Sequence, residues 1–146
     1  MTRGSRPNPA SDLTRTEDYL EVVYELIGTK GYARVSDIAE RLDVKPPSVT
    51  SMLKKLNRMG LILYERYRGL TLTDRGEQVA RFSQQKHMTI TKFLQILGVT
   101  EKVAKLDAEG IEHHLHRNTI RRIQRFVDFV SKNPSWFKAF QDTEID

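Results

Sequence analysis

The stretch VSDIAERLDVKPPSVTSMLKKL, residues 35 to 56, constrains the fold more than any other part of the chain. A short helix is predicted over roughly Ser36 to Leu42, opened by a Ser cap. Asp43 to Lys45 leaves space only for a tight turn, because Pro46 and Pro47 start a new helix. Proline's fixed φ and missing N–H are tolerated in a first helical turn. That helix runs towards Gly60 with Val49, Met52, Leu53 and Leu56 along it. A short helix, a three-residue turn and an amphipathic helix bearing lysines make the helix-turn-helix pattern. Directly afterwards, LILYE and LTLT alternate around the charged turn RYRG, which predicts a β-hairpin standing where a wing would be.

The flanking segments read as helices. Thr14-Arg15-Thr16-Glu17 has the form of a capping box, and Tyr19, Val22, Val23 and Leu26 follow at helical spacing up to a turn at Gly28 to Gly31. Residues 1 to 13 are polar and Pro-rich, without the apolar core of a secretory signal, and are expected to form a disordered tail. Thr73 and Asp74 cap a long helix that Gly98 stops, its stripe being Val79, Phe82, Ile90, Phe93, Leu94 and Leu97. Further helices begin at Thr100 and Asn118, the second carrying Ile120, Ile123, Phe126, Val127 and Val130, and NPSWFKAF adds a final helical turn. The expected fold is mainly α: an N-terminal winged helix-turn-helix with a small hairpin wing over residues 14–74, then an all-helical domain over 75–146.

A chain of 146 residues is long enough for one compact domain, or two small ones sharing a core, and too short for a large enzyme fold. No apolar run approaches the roughly 18 residues needed to cross a bilayer, so a soluble, cytoplasmic protein is expected, with no membrane partner. Zero cysteines exclude disulfides, thiolate zinc sites and thiol catalysis, leaving oxygen and imidazole ligands for any metal. The net charge of +5 is uneven: Lys45, Lys54, Lys55, Arg58, Arg66 and Arg68 face Glu65 alone within one segment, which by itself carries that much charge. Such a segment has the character of a phosphate-facing surface.

In a helix-turn-helix the N-terminal part of the second helix enters the major groove. Pro47, Ser48, Thr50 and Ser51 are therefore candidates for base edges and thymine methyls, and Lys45, Lys54, Lys55, Tyr67 and Arg68 for the rest of the DNA contact, chiefly phosphates. Few of these side chains are long hydrogen-bonding ones, so DNA shape is expected to supply part of the specificity.

DAEGIEHHLHRNTI, residues 107 to 120, concentrates three of the chain's four histidines beside two glutamates. On a helical wheel Glu109, Glu112, His113 and His116 fall within an arc of about 100°, opposite Ile111 and Leu115. Either a solvated polar face or a ligand cluster fits that pattern. Asp18, Glu21 and Glu25 line one edge of the first helix's stripe, where first-turn acids also serve the helix dipole. His87 stands at the border of the long helix's stripe, a position that also suits an ordinary boundary histidine.

GYARVSDIAERLDVKPPSVTSMLKKL, the wing YERYRGLTLTDRG and DAEGIEHHL together resemble the DtxR/MntR family of metal-dependent transcriptional repressors, and within it the manganese-responsive branch. The resemblance runs from Thr16 to about Val130. It implies a binuclear metal site on Asp18, Glu21, His87, Glu109, Glu112 and His113, and a C-terminal domain that both binds metal and dimerises. Four carboxylates and two imidazoles are an oxygen-rich set suited to Mn²⁺, expected at two per subunit, with Fe²⁺, Zn²⁺ or Cd²⁺ as substitutes. A softer Met stands at the Asp18 position in the iron-responsive branch, and His116 falls where family members lack a ligand. The length leaves no space for the SH3-like third domain of the iron-responsive members.

The function expected is a manganese-activated repressor of metal-uptake genes, a homodimer on a palindromic double-stranded DNA operator, in which metal bridges the two domains and fixes the spacing of the recognition helices. No catalytic residue and no small organic substrate are expected. A binuclear hydrolase would need a nucleophile motif and a substrate cleft that the sequence does not offer. A metal-independent winged-helix regulator would also bind DNA, and only a response to Mn²⁺ tells the two apart.

Overall fold

The computed structural model describes residues 9–65 and 69–143. It divides into two compact units, Met1–Gln84 and Gln85–Asp146. The first holds α1 (Pro9–Lys30), α2 (Val35–Leu42), α3 (Pro46–Arg58), β1 (Ile62–Glu65), β2 (Gly69–Leu72) and the start of α4 (Asp74–Ile96). The second holds the rest of α4, α5 (Glu101–Ile111), a 3₁₀ turn (Glu112–His114), α6 (Arg117–Lys132) and α7 (Pro134–Gln141). The division falls inside α4, later than the expected boundary at residues 74 and 75, because Val79 and Ala80 on its first turns belong to the core of the first unit.

That core explains the first unit's architecture. Tyr19, Leu20, Val23 and Leu26 bury one side of α1, and Ile38, Val49, Leu53, Leu56 and Ile62 close on it with no solvent exposure. Each such aliphatic side chain contributes about 1.5–3 kcal/mol by leaving water. α1 is longer than expected: it begins at Pro9, so residues 9–13 are helical, Thr14 lies inside the helix and the capping-box reading fails. Residues 1–8 of the expected tail lie outside the described residues. Gly31, at φ +81°, ends α1 by turning its N–H onto Ile27 O at 2.9 Å.

α2 starts one residue earlier than expected, with extended Arg34 and not Ser36 at the N-cap and no side-chain cap bond. Asp43, at φ 52°, makes the tight turn, and Val44 N–H reaches Ala39 O at 3.0 Å. Pro46 and Pro47 open α3 as expected. The hairpin pairs Ile62 with Leu72, Leu63 with Thr71, Tyr64 with Leu70 and Glu65 with Gly69. Thr73 caps α4 by accepting Gly76 N–H at 3.1 Å, and its own hydroxyl donates to Gly60 O at 2.7 Å.

The second unit has a smaller core, in which Ile90, Ala108 and Ile120 pack with Leu94 and Leu115. Phe93, Phe126 and Trp136 form an edge-to-face series that ties α4, α6 and α7 together, with Phe140 stacked on Trp136. Leu97, Val103, Leu106, Phe129 and Trp136 remain more than 40% exposed. Among the described residues, no helix is long and apolar enough to cross a membrane.

Candidate metal centre and nucleic-acid interface

The face of α3 opposite Val49, Leu53 and Leu56 is open. Lys45, Pro47, Ser48, Ser51 and Lys54 are exposed, while Thr50 and Lys55 are half-buried. The Thr50 hydroxyl donates back to Pro46 O at 3.2 Å, so Ser48 and Ser51 offer the freer hydroxyls. Tyr67 and Arg68 lie outside the described residues. Asn57 fixes the hairpin against α3, its side-chain oxygen accepting Tyr64 N–H at 3.3 Å.

Of the expected metal ligands, Asp18 and Glu21 are half-buried on α1. Ser83 on the first part of α4, fully buried, donates its hydroxyl to Glu21 Oε2 at 3.0 Å. In the second unit, three expected ligands come together around one carboxylate. Glu112 is 4% exposed; His87 Nδ1 lies 2.8 Å from its Oε2 and His113 Nε2 3.3 Å from its Oε1. Thr91 steadies the His87 backbone, its hydroxyl donating to His87 O at 2.8 Å. Burial pushes the Glu112 carboxyl above its ordinary value, and His87, His113 and the buried Lys86 pull in the opposite direction.

The single helical face expected from the sequence does not form. α5 ends at Ile111, Glu112 to His114 tighten into a 3₁₀ turn, and Leu115 is extended at φ −100°, ψ 138°. Glu109 is exposed on α5, and His116 is the exposed, extended N-cap of α6. Glu25 is engaged by Arg41. Sequence reasoning missed Ser83, Lys86 and Thr91, whose signal is polar residues recurring on the inward side of α4.

Among the described residues, no three or more His, Asp and Glu side chains converge closely enough to hold an ion. The donor chemistry nevertheless suits one: two imidazoles meet the two oxygens of a carboxylate withdrawn from water. Metal ligands must be deprotonated, so at Glu112, whose burial raises its pKa, a cation has to compete with the proton for the carboxylate.

A helix-turn-helix with a hairpin wing, followed by a helical unit in which two histidines meet a buried glutamate, fits the class of metal-responsive DNA-binding regulators. The family description "Iron dependent repressor, N-terminal DNA binding domain" matches residues 13–70, and "Iron dependent repressor, metal binding and dimerisation domain" matches residues 73–136. The chain belongs to this family, the DtxR/MntR group of metal-dependent transcriptional regulators expected from its sequence.

The HTH-type transcriptional regulator MntR of Lysinibacillus sphaericus (strain C3-41) is 49% identical over 125 residues, 86% of this chain and 90% of that protein. That of Geobacillus kaustophilus (strain HTA426) is 44% identical over 128 residues, 88% of this chain and 91% of that protein. Among solved structures, the manganese regulator SloR is 32% identical with a TM-score of 0.68 over 78% of this chain and 54% of that one. ScaR with bound Zn²⁺ is 33% identical with a TM-score of 0.69 over 78% and 54%. This chain thus spans about half the length of those two solved chains. It is a DNA-binding transcriptional regulator with a metal-binding and dimerisation domain, and its family and relatives are regulators, not enzymes.

Proposed function

We propose that this chain is a manganese-activated repressor of metal-uptake genes, acting in the cytoplasm as a homodimer on a palindromic DNA operator. Glu112 carries the metal half of this reading. A carboxylate 4% exposed between two imidazoles is unfavourable as a plain core element and apt as a ligand held for a cation. Manganese is favoured by the oxygen-rich donor set and by similarity to SloR and to ScaR, the latter described as a manganese-activated repressor.

The ligands in this reading are Asp18, Glu21, His87, Glu109, Glu112 and His113, enough for two Mn²⁺ per subunit. Fe²⁺, Zn²⁺ and Cd²⁺ are expected substitutes, and ScaR structures with bound Zn²⁺ and Cd²⁺ support the last two. When bound, Mn²⁺ supplies the positive charge that offsets four carboxylates. Ser83 orients Glu21, and Glu112 holds His87 and His113 by their facing nitrogens. Because Asp18 and Glu21 belong to the DNA-binding domain and the other four to the second, a ligand set taken from both couples metal occupancy to the spacing of the recognition helices.

The test is an operator titration, using the upstream region of a manganese-uptake gene, with and without Mn²⁺, Fe²⁺ and Zn²⁺. Tighter binding with Mn²⁺ is expected. Affinity indifferent to every metal would instead describe a metal-independent winged-helix regulator.

A further inference from the structure

Tyr32 and Arg34, in the connection between α1 and α2, form a pair that neither the recognition helix nor the metal centre uses. The Arg34 guanidinium carbon lies 4.7 Å from the Tyr32 ring centroid, and both residues are exposed. Neighbouring cations are already matched: Lys30 meets Asp37 at 3.3 Å, and Arg41 meets Glu25. Arg34 has no such carboxylate among the described residues; the ring is what holds it. A guanidinium stacked on an aromatic face keeps its edge donors pointing outward and gives up little further freedom on binding. Its planar fork matches the two free oxygens of a phosphodiester.

The position in the fold selects the partner. Arg34 is the N-cap of α2, the first helix of the helix-turn-helix. In that motif the first helix crosses the sugar-phosphate backbone while the second reads the groove. We propose that Arg34, positioned by Tyr32, binds a backbone phosphate of the DNA duplex beside the site read by α3. The contact adds affinity without sequence preference and widens the protein's footprint beyond the recognition helix. It rests on the family's DNA-binding role.

A salt series tests it, using the full-length protein with Mn²⁺ on an operator duplex and on an unrelated duplex of equal length. Arg34→Ala is expected to reduce the slope of log affinity against log salt by about 0.9 per subunit, about 1.8 for a dimer. The parent's advantage should then shrink about tenfold between about 50 and about 200 mM salt, on both duplexes alike. Arg34→Lys should keep the slope. Tyr32→Phe should bind like the parent, whereas Tyr32→Leu should move towards Arg34→Ala, with melting temperatures unchanged because both side chains are exposed. Should Arg34→Ala lower the melting temperature, Arg34→Gln, which keeps the stem, takes its place. A variant slope equal to the parent's overturns this phosphate contact alone. A parent that binds neither duplex removes the DNA-binding reading, and this contact with it.

Discussion

His87 Nδ1 lies 2.8 Å from Oε2 of Glu112, a carboxylate that is almost fully buried. Burial raises the Glu112 pKa above its ordinary 4.5 against the opposing pull of His87, His113 and Lys86. A carboxyl with a raised pKa favours the folded state while protonated. That contribution is complete below the ordinary value and is lost as pH climbs through the folded-state value. Glu112→Gln is therefore expected to raise the melting temperature of the metal-free protein by a few degrees at neutral pH. The gain should fade as pH falls towards 4.5. With Mn²⁺ at about a hundredfold its dissociation constant the parent should gain about 2.7 kcal/mol for each ion bound, and the variant markedly less. Calorimetry at two pH values checks both, and a variant that Mn²⁺ stabilises as much as the parent takes Glu112 out of the ligand set.

Ser83 holds Glu21 by a 3.0 Å hydrogen bond from a fully buried position, so the two should fail in different ways. If Glu21 is a ligand as proposed, Glu21→Ala should abolish Mn²⁺-stimulated operator binding with fold and dimer intact. Ser83→Ala leaves the ligand but frees its orientation, which should shift half-activation to Mn²⁺ concentrations about tenfold or more higher. Fluorescence anisotropy on labelled operator separates the two outcomes. If Glu21→Ala still responds like the parent, the metal site is confined to the second unit.

The elements whose hydrophobic period is strong were legible in the sequence: α3 with Val49, Leu53 and Leu56 buried, the alternating hairpin, and α4 opened by Thr73. Features set by local competition were not. Thr14 and Ser36 have the chemistry of caps, yet the chain continues as helix upstream of both, since a cap motif is only one offer among several to free N–H groups. The wheel through Glu109 and His116 assumed one helix where the chain changes to a 3₁₀ turn at Glu112, and Gly110 was the one available cue. Ser83, Lys86, Thr89 and Thr91 escaped a search for apolar stripes because they are polar and buried.

Gly76 gives a stability test independent of metal. A Cβ built there would lie 1.8 Å from the Leu61 carbonyl oxygen, a backbone atom that cannot swing aside. This close approach lets the first turn of α4 pack on the chain entering β1. Gly76→Ala is expected to cost at or beyond the upper end of the roughly 1–3 kcal/mol of an overpacked core. Gly28, whose added Cβ would meet nothing within 4 Å, is the control. It sits inside α1, so Gly28→Ala should be neutral or stabilising by up to about 1 kcal/mol. Urea unfolding of the two variants measures the contrast, and equal stabilities would mean that α4 does not approach Leu61 this closely.

Lys54 and Lys55 are adjacent on α3, but Lys54 is exposed and Lys55 is half-buried. The exposed Lys54 has less packing to give up on reaching a phosphate than the half-buried Lys55, so the pair should divide unequally. Replacing both with Ala should weaken binding to all duplexes alike and reduce the salt slope by about 0.9 for each phosphate that is no longer neutralised. Lys54→Ala alone should reproduce most of that reduction. Lys55→Ala alone should change the slope little while lowering the melting temperature, since the residue is half-buried. Salt titrations of the three variants decide the matter: an unchanged slope in the double variant would place the phosphate surface away from this end of α3, leaving its N-terminal residues and the wing to meet the DNA backbone.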